Sequence, residues 1–310
     1  MKKTTTMLTV LLLSALFFTA TAEGWDGGGY PGAALRLGWS VRAAGMGRAM
    51  VALTNTTEAL ELNPAGLAFA VDPQGELFYR KMSLDRNQSS AAGLYPLPFD
   101  VRATVALGWY YLGVGGIDGR DQSGNRLGEY RYDEHIASFA FGLRPAEWLG
   151  LGVTARAMFT TLAEETATGG AVDVGLQANP WAGLHVGFTA RNVIGSYKWK
   201  TAAATDEQLP VEYAAGIGYR LDGIGSVEVD LVTTNETRPQ WRFGAEYWIT
   251  PTFAIRGGYE MMDFAAGEVS AGATMVTEFI EGVGLSLDYA FRSDNFDVVD
   301  SHAVALSVAF

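Results

Sequence analysis

The chain has 310 residues, no cysteine, and 34 acidic against 22 basic residues, for a formal net charge of −12. The absence of thiols excludes disulfides and thiolate metal centres, and the acidity argues against a nucleic-acid partner. Apolar residues make up 48% of the chain, yet no stretch after residue 22 reaches the ~20 continuous apolar residues of a spanning helix.

The N-terminus reads as an export signal. Lys2 and Lys3 precede the apolar run Met7–Phe18, and Thr19-Ala20-Thr21-Ala22 ends in small residues, so cleavage is expected after Ala22. Residues 23–74 do not look like wall. They start Gly-rich, then run from Leu35 through Trp39, Gly45, Met46, Gly47 and Met50 to Leu53, dominated by small side chains. Thr54-Asn55-Thr56-Thr57 can cap a short helix over Glu58–Leu62, which Asn63-Pro64-Ala65-Gly66 ends, because Pro64 disfavours helical geometry at Asn63. A compact segment ahead of the first strand is placed to fold into an interior.

From residue 75 onward the pattern changes to period two, the signature of strands with two different faces. Fourteen such segments are predicted, covering roughly 76–83, 88–96, 101–111, 135–144, 149–156, 172–177, 183–191, 211–220, 226–233, 240–248, 252–260, 267–276, 282–291 and 301–310. In the clearest, Val283, Leu285, Leu287, Tyr289 and Phe291 alternate with Gly284, Ser286, Asp288 and Ala290. In the last, Val304, Leu306, Val308 and Phe310 alternate with small residues. A soluble sheet shows polar groups to water on one face. Bulky apolar groups opposite small or polar ones suit a barrel that faces lipid outside and a crowded interior inside.

The connections sort by length in the same sense. Pro96–Asp100, Pro145–Trp148, Asn179–Ala182, Asp222–Gly225, Ile249–Pro251 and Thr277–Glu281 are short. Leu84–Asn87, Leu112–Glu134, Thr160–Gly169, Ile194–Pro210, Thr234–Pro239, Met261–Ala266 and Ser293–Asp300 are longer or more polar. Barrels of the outer membrane have short periplasmic turns and longer outer loops, and an even strand count returns both ends to the periplasm. Trp148, Trp181 and Trp248 near the short turns are expected at the membrane boundary. The predicted architecture is therefore a signal at 1–22, an N-terminal plug segment at 23–74 and an all-β, antiparallel transmembrane barrel of 14 strands at 75–310.

Several pieces resemble one family. Ala43-Ala44-Gly45-Met46-Gly47 through Leu62-Asn63-Pro64-Ala65-Gly66-Leu67-Ala68 is similar to the N-terminal hatch of the FadL superfamily, and more closely to its PorV/PorQ-like branch. Ala190-Arg191-Asn192-Val193-Ile194-Gly195, Leu209-Pro210, Gly244-Ala245-Glu246-Tyr247-Trp248, Ile255-Arg256-Gly257-Gly258-Tyr259 and Leu287-Asp288-Tyr289-Ala290-Phe291 extend the likeness down the chain. The resemblance departs where family hatches read Gly-Met-Gly-Gly, because Arg48 follows Gly47. It implies a hatch-plugged 14-stranded barrel of the Gram-negative outer membrane. It also implies one of two roles: diffusion of small hydrophobic, fatty-acid-like molecules, or a PorV-like carrier or scaffold for exported proteins in type IX secretion.

Parity places Arg102, Arg144, Arg156, Arg191, Arg220, Arg242 and Arg256 inward, with Asp173, Glu212, Glu228, Asp230, Glu246, Glu268 and Asp288. Such a near-neutral lumen does not favour one ion sign. The charges either pair with one another and with the plug or form a polar ring that orients a head group. Asn63, Pro64, Ala65, Gly45, Gly47, Met46 and Trp39 are the hatch residues expected to meet a ligand or the wall. Candidate apolar lining adds Met50, Leu60, Leu62, Leu67 and Phe69 from the plug. From the outer loops it adds Tyr110, Tyr130, Tyr132, Tyr197, Trp199, Met261, Met262 and Phe264.

Enzyme chemistry finds little support. Asp133-x-His135 superficially resembles the omptin Asp–His dyad, but parity turns it outward, and neither His185 nor His302 has an adjacent Ser. Asp121-x-Ser123-x-Asn125 lacks the Gly and distal Glu of a calcium loop. No cofactor, metal or nucleic acid is expected. The expected surroundings and partners of a monomeric barrel are outer-membrane lipid, a hydrophobic small molecule, or an exported protein cargo.

Overall fold

The computed structural model describes residues 31–98, 102–201, 206–263, 266–293 and 300–310. The expected signal at 1–22 and most of the 293–300 connection lie outside these residues, as do the side chains of Met262 and Phe264.

Fifteen strands follow residue 73. They are β1 (Gln74–Lys81), β2 (Arg86–Pro96), β3 (Ala103–Arg120), β4 (Arg126–Ala146), β5 (Leu149–Leu162), β6 (Glu165–Trp181), β7 (Leu184–Trp199) and β8 (Asp206–Gln208). After them come β9 (Glu212–Leu221), β10 (Gly225–Thr234), β11 (Gln240–Thr250), β12 (Phe253–Asp263), β13 (Ala266–Ile280), β14 (Val283–Arg292) and β15 (Ser301–Ala309). Each strand except β8 pairs antiparallel with two neighbours, and β1 pairs with β15 from Gln74↔Ala309 to Lys81↔His302, so the sheet closes on itself. The result is a closed 14-stranded transmembrane barrel, with β8 a short addition on the end of β7. Closure leaves no unpaired edge in lipid.

Alternation sets the two faces. On β11, Trp241, Phe243 and Tyr247 are exposed while Arg242 and Glu246 are buried. On β12, Ile255 and Tyr259 are exposed and Arg256 and Glu260 buried. The apolar side chains form the lipid-facing belt, and the charges turn into the bore. Trp181 is on the outside, but Trp248 turns inward beside Arg42 and Glu246, and Tyr247 and Ile249 hold the outer positions there. The boundary assignment of Trp248 is thus corrected by one step of parity.

The longer connections are mostly paired strand. Leu112–Glu134, expected as a loop, is a hairpin in ladder register from Leu112↔Glu134 to Arg120↔Arg126. Thr160–Gly169 continues β5 and β6 to Leu162↔Glu165, and Ile194–Pro210 continues β7 to Trp199 with β8 alongside. Above the lipid both faces of a strand can meet water, so the apolar alternation that marks the spanning part disappears while the hydrogen bonds continue.

Ahead of β1 the chain forms short helices α1 (Ala33–Leu37) and α2 (Val41–Gly45) and two 3-10 turns, Thr57–Leu60 and Pro64–Phe69. The expected helix over Glu58–Leu62 is only the first of these turns. Thr56 provides no side-chain cap, and Pro64 opens the second turn, with Asn63 Oδ1 accepting the Ala65 N–H at 3.1 Å. Met46, Met50, Leu53, Leu60, Leu62 and Leu67 are fully buried, packed against the inward faces of the strands.

Candidate functional site

An irregular segment inside a barrel leaves main-chain groups that no helix or sheet satisfies, and each needs a partner. The wall side chains supply them. Asp230 Oδ2 accepts the N–H groups of Met50 (2.9 Å) and Val51 (3.1 Å), and Glu228 Oε1 accepts that of Ala52 (2.5 Å). Arginines do the converse work on carbonyls: Arg156 donates to Leu60 (3.0 Å), Arg191 to Glu61 (3.2 Å), Arg220 to Leu53 (3.1 Å) and Arg80 to Leu37 (3.2 Å). Gly47 N–H donates to Ser270 Oγ at 2.8 Å. Asn63 Nδ2 donates to the carbonyls of Val51 (2.8 Å) and of Leu176 in the wall (3.1 Å).

The wall accommodates the segment through its small residues. A Cβ at Gly152 would land on the carbonyl carbon of Pro64, and one at Gly258 on the main chain of Met46 and Gly47. Gly45 sits against Gly272, where a Cβ on Gly45 would be 3.2 Å from the Gly272 Cα. Thus Gly45, Met46, Gly47, Asn63, Pro64 and Ala65 all touch the wall directly.

Around these bonds lies an ionic lattice. Arg42 bridges Glu58 (3.3 Å) and Glu246 (3.1 Å), and Arg256 joins Glu246 (2.6 Å) to Asp288 (2.8 Å). Arg156 pairs with Asp173 and Arg191 with Glu212. Glu260 receives Arg242 and Arg292, each at 2.8 Å, and Arg292 also pairs with Glu268. Burial opposes the charge on Arg42, but Glu246 and Glu58 outweigh it and raise its pKa. Arg48 is the opposite case. Burial and the like charge of Arg242 push it down to about 10, with Glu260 3.9 Å away.

The expected lumen charges Arg156, Arg191, Arg220, Arg242, Arg256, Glu212, Glu246 and Asp288 are brought together in this lattice. Arg102 and Arg144 are not. Both lie at the short-turn rim, where they pair with Glu147 at 2.5 and 3.3 Å, and Arg144 covers the Phe69 ring. The lattice also includes residues the parity reading left out. Glu134 and Glu260 share the inward parity of their strands and could have been read from it. Arg42, Arg48, Glu58 and Glu61 belong to the segment, where no periodicity announces a direction.

At the loop end, apolar and aromatic side chains gather over the segment. Trp39 packs on Tyr110 with ring centroids 4.9 Å apart, among Ile136, Met158, Tyr197 and Leu209. Buried Glu134 accepts the hydroxyls of Tyr132 (2.6 Å) and Tyr197, and Gln88 donates to Tyr110. Trp199 is turned to Glu207 and Tyr130 is exposed, so these two stand apart from the cluster's centre. A cleft of ≈ 460 Å³ adjoins the cluster between Leu35, Trp39, Arg191, Asn192 and Leu209. At the short-turn end, clefts of ≈ 880 and ≈ 640 Å³ flank Arg42, Thr56 and Trp248.

The histidines stand elsewhere. His135 stacks with Trp109 (5.2 Å) and Tyr111 (4.9 Å), and His302 Nδ1 lies 2.7 Å from the Tyr289 hydroxyl. Asp121 accepts the N–H groups of Ser123 and Asn125 and the Asn125 amide, so its oxygens serve a turn rather than a cation.

No family model and no curated protein matches the sequence. Solved structures do. The Pseudomonas putida toluene transporter TodX aligns at TM-score 0.63 and 12% identity, covering 88% of this chain and 97% of that one. CymD, a monoaromatic hydrocarbon channel, gives 0.62 and 13% over the same shares, and a Pseudomonas aeruginosa FadL homologue gives 0.60 and 9% over 88% and 98%. At these identities the likeness is one of fold: this chain folds as those hydrocarbon and FadL-type barrels do.

Proposed function

We propose that the protein is a monomeric channel of the Gram-negative outer membrane that passes small hydrophobic molecules, fatty-acid-like or aromatic, with residues 23–74 as a movable plug. The carrying observation is the apolar cluster of Trp39, Tyr110, Ile136, Met158 and Tyr197 at the loop end, set directly over the segment. Such a surface suits a hydrophobic guest, and Met and aromatic side chains repack around different shapes. The fold likeness to hydrocarbon channels supports the same reading.

Release of the segment is the step that opens a route. The bonds from Asp230, Glu228, Arg220 and Arg191 are side-chain contacts to an irregular backbone, and water can replace them one by one. The clefts around Arg42 and Trp248 give the guest a place to leave toward the short-turn side. Neither step needs a cofactor or an energy source. The export signal at 1–22 belongs to this proposal, since the barrel must reach the outer membrane.

The test is uptake into proteoliposomes of a labelled fatty acid and of a labelled monoaromatic hydrocarbon. Uptake above that of protein-free vesicles is expected for at least one of them. Equal rates with and without protein would overturn the channel. Recovery of a stoichiometric exported polypeptide from native membranes, with no lipid-like molecule, would favour the PorV-like carrier instead.

A further inference from the structure

We propose that Arg48 holds a small inorganic anion, of the charge and size of chloride, in the loop-side half of the bore. Arg48 is buried, and its only ion-pair partner among the described residues is Glu260, 3.9 Å from Nη1. Its Nε and Nη2 are buried with no acceptor. Glu260 is already in use. Its Oε1 accepts from Arg242 Nε and its Oε2 from Arg292 Nη2, both at 2.8 Å, and Arg292 takes Glu268 as its second partner. Three guanidiniums therefore share two carboxylates, leaving one positive charge in excess.

Widening the circle does not cancel it. Glu61 is the next carboxylate acting on Arg48, but it acts equally on Arg191, which has Glu212, and on Arg80. Arg80 donates to the Leu37 carbonyl and has no carboxylate partner among the described residues. A buried charge without a counter-charge is costly, and so is each buried N–H without an acceptor. Water would satisfy the donors but not the charge; an anion satisfies both.

The backbone adds an independent sign. Arg48 has φ 61, a left-handed conformation that follows another at Gly47 (φ 60). Glycine adopts it without strain and a side chain does not. The chain accepts that strain to place a guanidinium where its charge exceeds what the surrounding carboxylates balance. Size follows from the surroundings: Arg48 lines none of the three clefts, so the occupant is atom-sized rather than the head of an amphiphile. With its charge balanced, the Arg48 turn stays seated against β11 and β12, so occupancy of this site strengthens the hold on the segment.

Two experiments on the full chain in detergent test this. Crystals grown in bromide should show an anomalous peak within hydrogen-bond distance of Arg48 Nε or Nη2. Thermal unfolding at fixed ionic strength should move to higher temperature, saturably, as gluconate is replaced by chloride. Arg48→Gly, which suits the backbone, should abolish that dependence. A bromide-free Arg48, a wild-type midpoint indifferent to the anion, or an unchanged chloride effect in Arg48→Gly would each overturn the proposal. The crystallographic arm uses the native chain and stands even if the variant does not fold.

Discussion

Among individual residues, Asp230 has the most to lose. It is fully buried, and its Oδ2 alone accepts two successive N–H groups of the segment. Asp230→Ala leaves Met50 and Val51 with unpaired donors, each costing about 1–3 kcal/mol when water cannot replace the partner. The unfolding midpoint in detergent should fall clearly, while Asp230→Asn, which keeps an acceptor oxygen, should lose less. Equal losses in the two variants would show that bulk rather than hydrogen bonding matters there. The residue was visible in the sequence as an inward carboxylate. Its partner was not, because parity gives a direction and says nothing about which main-chain atoms wait at the end of it.

At the scale of elements, the segment and the wall fit through absent side chains. The inward glycines of β5 and β12 lie where Pro64 and Gly47 approach most closely. Gly258→Val should push the Met46–Gly47 main chain off β12 and expose residues 31–70 to protease, with a cleavage rate raised at least ~10-fold for ~1.4 kcal/mol of lost docking. Gly257→Val is the control, since a Cβ there meets nothing within 4 Å. Similar proteolysis of both variants would refute the close-approach argument. The elements themselves were readable to differing degrees. Strands such as β14 announced themselves by alternation. The upper parts of β3 and β4 did not, because a hairpin wet on both faces carries no apolar period. The 3-10 turn at Pro64–Phe69 was equally hidden, since Pro64 reads as a terminator when only α-helix is considered.

For the whole molecule, closure and filling are separate matters. The ring from β1 to β15 completes its own hydrogen bonding, so the barrel does not need the segment to form its wall. Deleting residues 31–70 should therefore leave a β-rich, heat-resistant barrel that conducts ions across planar bilayers, while the full chain conducts little. If both conduct alike, the segment is not what blocks the bore. If the deleted form loses its β-structure, the inner ionic lattice is needed to hold the wall together.

The sequence by itself determined the wall: which stretches are strands, which faces meet lipid, and which charges point inward. Each of these follows from local periodicity, because a strand's side chains alternate whatever its neighbours are. The tertiary structure alone decided who meets whom inside. Asp230 with Met50 and Val51, Arg156 with Leu60, Gly152 with Pro64 and Arg48 with Glu260 join residues far apart in the chain, on a segment without a repeating pattern. Such contacts depend on the path of an irregular backbone through a closed space, and that path is set by the sum of many individually weak bonds rather than by any local rule.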